Sequence, residues 1–224
     1  MVPDVAASHN SASQGVYWMF RRLANGWRLL GVCAAALTLM CSAILLYTPD
    51  IGGIHAAIRA TARTSLVFFL LAFSASALWR LWPGTWSRWQ LRNRRYLGLS
   101  FATSHTLHLI LIAAFARFDP QGFREDIDTP TLVYGGIAYA FIFAMAATSF
   151  DRSAAWLGAR RWKILHTVGS YYIWLIFLIT FSVATTSDPR YGLGVAILAI
   201  IMLLKMVARW SRVPRPHETL QRQN

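Results

Sequence analysis

Three histidines lie in apolar surroundings: His105 and His108, one helical turn apart, and His166 further along the chain. Imidazole is costly in hydrocarbon and is seldom placed there without a partner. It is also a usual protein ligand of haem iron, so histidines on neighbouring membrane helices suggest a redox cofactor held between them. On helices of about 3.6 residues per turn, Gly98, Phe101, His105, His108 and Ile112 share one face, and His166 shares another with Gly169, Ser170, Ile173 and Phe177. A flat macrocycle between two helices needs a gap, and Gly98, Gly169 and Ser170 leave room where Leu or Phe would fill it.

The competing reading of each histidine is a hydrogen bond to a carbonyl or hydroxyl on the next helix. His9 and His217 fall in polar tails and His55 in the first outer loop, so none of the three is expected as a ligand. Zinc or a di-metal centre would want carboxylates or cysteines at matching depth, and the apolar stretches supply no carboxylate. Cys33 and Cys41, eight apart in the first span, read as packing residues. No catalytic triad, phosphate-cradling loop or dinucleotide fingerprint is present.

The elements that must position these residues follow from composition. The chain has 224 residues, of which 56% are apolar and 14% charged, with mean hydropathy +0.41, too greasy for an ordinary soluble domain. Six stretches suffice to cross a bilayer core: Trp27 to Tyr47, Thr61 to Trp82, Leu97 to Ala116, Thr131 to Phe150, Ile164 to Ala184 and Gly192 to Ala208. They lack the alternation of barrel strands. The expected fold is an all-α six-helix transmembrane bundle over residues 27–209, between a tail at 1–26 and a basic tail at 210–224.

A net charge of +13 on a soluble surface would suggest nucleic acid. Its distribution argues for topology and against that partner. With the N-terminus inside, all but five of the 22 Lys and Arg residues fall on the inner side; Arg59, Arg63, Arg117, Arg124 and Arg190 are the exceptions. Both termini are therefore expected in the cytoplasm, and nearly all tryptophans map to the inner headgroup level. The stretch before Gly26 lacks a cleavable signal's apolar core, so the first span reads as an uncleaved insertion signal, with Arg21-Arg22 as a charge anchor. The loop from Arg117 to Pro130 reads as a solvated turn, and Gly136, Ala140 and Ala144 as a helix-packing stripe.

The run Arg94-Arg95-Tyr96-Leu97-Gly98-Leu99, followed by Thr106-Leu107-His108-Leu109, resembles the third-helix signature of the ferric-reductase-like transmembrane family. Within that family it is most similar to the haem-binding membrane subunits of bacterial periplasmic methionine sulfoxide reductase systems. Arg161-Trp162-Lys163-Ile164-Leu165-His166 resembles those subunits' entry to the fifth helix, and Ala62-Arg63-Thr64-Ser65-Leu66 their second-helix start. The resemblance covers about residues 60–184.

It implies a haem b protein, with one haem or two, in the bacterial inner membrane. Such a protein passes electrons from quinol or a cytoplasmic flavin reductase to a periplasmic reductase, as a subunit and not a complete enzyme. FMN and a quinone are compatible further cofactors, and no motif for either appears. His108 and His166 match family ligand positions, with His105 a further candidate. Arg63, Arg94 and Arg95 match family arginines suited to haem propionates, or to topology anchoring.

One departure stands out. The family's second histidine on the fifth helix, 13 residues past His166, is here Ile179, which cannot bind iron. At about 1.5 Å rise per residue, His108 lies about 16 Å and His105 about 12 Å along their span from Leu97, while His166 lies about 3 Å from Ile164. The expectation is one haem between His166 and either His108 or His105. The alternative is a haem-less scaffold on the same bundle.

Overall fold

The computed structural model describes residues 24–211. The expectations for His9, His217, Arg21-Arg22 and most of both tails fall outside them. Among the described residues there are eight helices and no strand: α1 (Gly26–Tyr47), α2 (Ile51–Leu81), α3 (Thr85–Phe118), α4 (Pro120–Asp126), α5 (Thr129–Ala147), α6 (Asp151–Leu157), α7 (Ala159–Ala184) and α8 (Tyr191–Trp210). All but α4 and α6 are long and apolar enough to cross a membrane, which gives a multi-pass membrane protein.

Two spans begin ten or more residues earlier than hydropathy indicates, at Ile51 against Thr61 and at Thr85 against Leu97. Asp50 caps α2 by accepting from Gly53 N–H at 3.0 Å, so the helix takes in His55, expected in a loop. The His55 ring is half-buried and meets Phe115 edge-on at 4.4 Å. Ser87 ties the turn into α3, accepting from Gly84 N–H at 3.0 Å and donating to the Trp82 carbonyl at 2.7 Å. The expected turn after Arg117 contains α4, capped by Asp119.

α3 is the central strut. It packs most extensively on α2, and α1 lies across both. Asn93, 2% exposed, accepts from Gly26 N–H at 2.9 Å and donates to Asn25 at 3.0 Å, fixing the start of α1. The α2/α3 seam is lined by fully buried hydroxyls: Ser65 donates to Ser104 at 2.9 Å, and Ser104 donates to the Thr61 carbonyl at 3.2 Å. Small polar residues let backbones approach closely where lipid gives no hydrophobic drive to association. α8 packs on α2 and α7, and α5 on α7 and α3.

The main core joins Phe69 and Phe73 of α2, Phe101 of α3, Ile142 of α5, Ile173 and Phe177 of α7 and Leu198 of α8. Burial of Gly169, Ile173 and Phe177 shows that the His166 face of α7 turns inward. The Gly136/Ala140/Ala144 stripe does not pack as expected: Gly136 and Ala140 are exposed, because α5 buries Ala138 and Ile142 instead. Lys and Arg gather at the end holding the α2–α3 turn, α6 and the end of α8, called here the basic end.

Candidate functional site

His166 lies near the basic end of α7. Its ring stacks on Trp162, one turn earlier, with centroids 4.2 Å apart and planes 26° apart. Nε2 lies 3.1 Å from Thr148 Oγ1. The Thr148 hydroxyl donates to the Ala144 carbonyl at 2.7 Å, so it is left to accept from the imidazole N–H. The Thr148 carbonyl accepts from Trp162 Nε1 at 2.9 Å. One residue at the end of α5 therefore holds both rings, and His166 Nδ1 makes no hydrogen bond to the described residues.

This imidazole borders a cavity of about 490 Å³ between α2, α3, α5 and α7, within the size range of cofactor sites. Phe69, Phe73 and Phe101 supply apolar wall, and Arg94 and Arg95 supply charge. Arg95 donates to Asp151 at 2.9 Å, while its Nε is buried without a partner. Gly98 also lines the space, and a Cβ there would meet nothing within 4 Å. The expected gap is present at Gly98. It is absent at Gly169, where a Cβ would strike Met145 and Phe141, so that glycine serves α5/α7 packing.

His105 and His108 come together elsewhere, with rings stacked at 5.2 Å. His108 Nδ1 lies 3.1 Å from the Ile58 carbonyl and 3.0 Å from Thr61 Oγ1, so Nδ1 carries the proton and Nε2 the lone pair. Around His105 stand Phe101 at 5.1 Å, Tyr139 at 5.2 Å and Phe177 at 5.8 Å. His105 Nδ1 and the Tyr139 hydroxyl are buried without partners.

The structure does not bring His166 to either α3 histidine. Neither lines its cavity, and Phe69, Phe101 and Phe177 form a layer between, with centroids 5.4 to 6.1 Å apart. Those three rings are large and fully inward, so they close the bundle where a shared slot would have to pass. Ile179 is 51% exposed on the lipid side of α7.

Arg94 and Arg95 join His166, but Arg63 does not. Its guanidinium donates to the Tyr191 hydroxyl at 3.3 Å and stacks on that ring at 5.3 Å, at the other end of the bundle.

The residues fit a haem at the first cavity: an imidazole with a free nitrogen, cations beside it, apolar walls and an open glycine. They do not fit one around His105, where four rings fill the space. Sequence reasoning missed Thr148 and Tyr139, which reach the histidines from α5 and leave no local signal. Trp162 stands four residues before His166, a spacing that stacks rings on one helix face, and was legible.

The ferric reductase like transmembrane component family matches residues 57–180, more than half of the chain. The chain is 34% identical over 110 residues to the protein-methionine-sulfoxide reductase heme-binding subunit MsrQ of Ralstonia nicotianae, covering 48% of this chain and 49% of that one. It is 30% identical over 155 residues to MsrQ of Azospira oryzae, covering 65% and 64%, and 27% identical over 166 residues to MsrQ of Polaromonas naphthalenivorans, covering 72% and 74%. It thus spans about half the length of the first of these relatives and just under two thirds of the second. No solved structure matches. The matched region takes in His105, His108 and His166, and the chain belongs to the ferric reductase like transmembrane component family.

Proposed function

We propose that this chain is a haem b membrane protein that carries electrons through the bilayer as the membrane subunit of a reductase system. The observation that carries this reading is His166 with a free Nδ1 on a cavity of about 490 Å³, beside Arg94 and Arg95 and open at Gly98. A haem bound there supplies a one-electron iron couple.

The chain's residues divide the remaining work. The His166 nitrogen not held by Thr148 is free to take iron, and Thr148 fixes the tautomer by accepting the other N–H. Trp162 stops the ring from turning. Arg94 and Arg95 are placed to pair with propionate carboxylates, the Arg95 Nε being the donor still unused. Phe69, Phe73 and Phe101 give the site an apolar wall.

His108 is the other imidazole with a lone pair available, and its tautomer suits ligation. The packed rings around His105 and the lipid-facing Ile179 give it no slot and no partner, so we assign one haem, at His166.

The relatives' name, heme-binding subunit of a protein-methionine-sulfoxide reductase, supports a partner reductase as electron acceptor. The excess of Lys and Arg on one side supports both termini in the cytoplasm and that acceptor on the periplasmic side of a bacterial inner membrane. Quinol or a cytoplasmic flavin reductase is then the donor, with FMN or a quinone as mediator at the basic end.

The test is the haem-to-protein ratio of purified full-length chain together with a reduced-minus-oxidised difference spectrum. The expected result is about one haem per chain, lost in His166→Ala. Protein with no Soret absorbance overturns the reading in favour of a haem-less scaffold.

A further inference from the structure

Beside the first cavity lies a second, of about 440 Å³, reached from the basic end between α2, α3, α7 and α8. Five cationic side chains line it: Arg80, Arg94, Lys163, Lys205 and Arg209. No carboxylate does. Of the seven acidic residues described, Asp50, Asp119, Glu125, Asp126, Asp128 and Asp188 belong to the opposite end of the bundle. Only Asp151 is at this end, and it is bonded to Arg95. Like charges gathered around one space repel unless an anion joins them, and the described chain has none to give.

Topology alone would account for basic residues near this face, but not for Lys205. A lysine five residues before the end of α8 has a stem long enough to carry its ammonium out to the headgroups. Here it turns inward instead. Its Nζ donates to the Phe73 carbonyl at 3.0 Å and stands 3.8 Å from the Phe73 ring centroid, within the cavity wall. Arg80 reaches across to the Ala208 carbonyl at 3.5 Å, so α2 and α8 are tied at this rim. Ser76, Thr167 and Tyr171 add hydroxyls to the lining.

We propose that this second cavity binds a phosphate ester anion, supplied by the headgroup of an anionic membrane phospholipid. Basic pockets between transmembrane helices are a recognised mode of headgroup binding. Phosphate offers several acceptor oxygens to converging guanidinium and ammonium donors. The site shares Phe73, Arg94, Trp162, His166 and Ser170 with the haem cavity, so the two adjoin at the His166 ring, whereas Arg80, Lys163, Lys205 and Arg209 lie outside the haem cavity's lining.

The test uses delipidated full-length protein in neutral detergent, with and without haem. Phosphatidylglycerol, phosphatidylcholine of the same chains and inorganic phosphate are added separately, and bound lipid is counted by native mass spectrometry beside a thermal-shift curve. The expected result is about one phosphatidylglycerol per chain, with a raised melting temperature and no matching effect of phosphatidylcholine. Lys205→Met and Arg80→Gln should each weaken this binding about tenfold, and Lys205→Arg should retain it. Arg80 is exposed, so its variant reports even if Lys205→Met misfolds. Equal binding of the two lipids, or binding indifferent to both substitutions, overturns the site. Binding of inorganic phosphate without phosphatidylglycerol overturns the lipid source. Binding confined to haem-free protein overturns a separate site and returns these cations to the haem carboxylates.

Discussion

Around His166 the bundle leaves a cavity of about 490 Å³, whereas around His105 it closes on four aromatic rings, although both histidines stand on inward helix faces. The difference lies in the neighbours. Next to His166 the α3 wall carries Gly98, and the ring is clamped from one side by Thr148 and Trp162. Next to His105 the wall carries Phe101, and Tyr139 and Phe177 enter from α5 and α7. An imidazole in a membrane is therefore a candidate ligand only when one nitrogen is fixed and space remains at the other.

Four substitutions and one titration would break or sharpen this contrast. His166→Ala should abolish the Soret absorbance of purified protein; retained haem would move the site to the α3 pair. Gly98→Phe should remove most of the haem by filling the cavity while leaving the helical circular dichroism unchanged. Thr148→Val, which removes the acceptor for the imidazole N–H, should weaken haem binding about tenfold and shift the reduction potential, with Thr148→Ser restoring both. His108→Ala should leave haem content unchanged and lower the unfolding free energy by about 1 kcal/mol, the scale of an interhelical hydrogen bond. If it emptied the protein of haem as His166→Ala does, the separation of the two histidine groups would fail.

The smallest effect lies outside the membrane, at the cap of α5. Hydrogen bonds from the Thr131 side chain and backbone hold the Asp128 carboxyl below its ordinary value of 3.8. Its contribution to stability is therefore complete above about pH 3.8 and is lost as the pH falls through the lower folded value. Asp128→Asn should flatten that limb of a thermal-denaturation profile without touching haem content.

Much of the scaffold was legible because lipid imposes a strict rule: every spanning helix must be apolar and long. The inward face of α7 followed from periodicity, as the burial of Gly169, Ile173 and Phe177 bears out, whereas of the face expected on α3 only Phe101 is buried and Gly98, His105, His108 and Ile112 are half-buried. The early starts of α2 and α3 were not legible, because Asp50 and Ser87 fix those helix ends by hydrogen bonds that hydropathy ignores. His55 went to a loop for that reason. Gly98 and Gly169 look alike in sequence, yet one opens a wall and the other meets Met145. Which glycine makes a gap depends on what the facing helix brings. The same limit hid the parting of His166 from His105 and His108, which is set by Phe69, Phe101 and Phe177 from three helices.

That trio of phenylalanines carries a consequence of its own. Benzene rings offer no hydroxyl, amine or carboxyl on which a proton could alight, while an electron can tunnel across a few ångströms of close-packed hydrocarbon. A floor of this composition beneath Gly98 and His166 therefore offers no side-chain relay by which a proton could pass from the pocket toward His105.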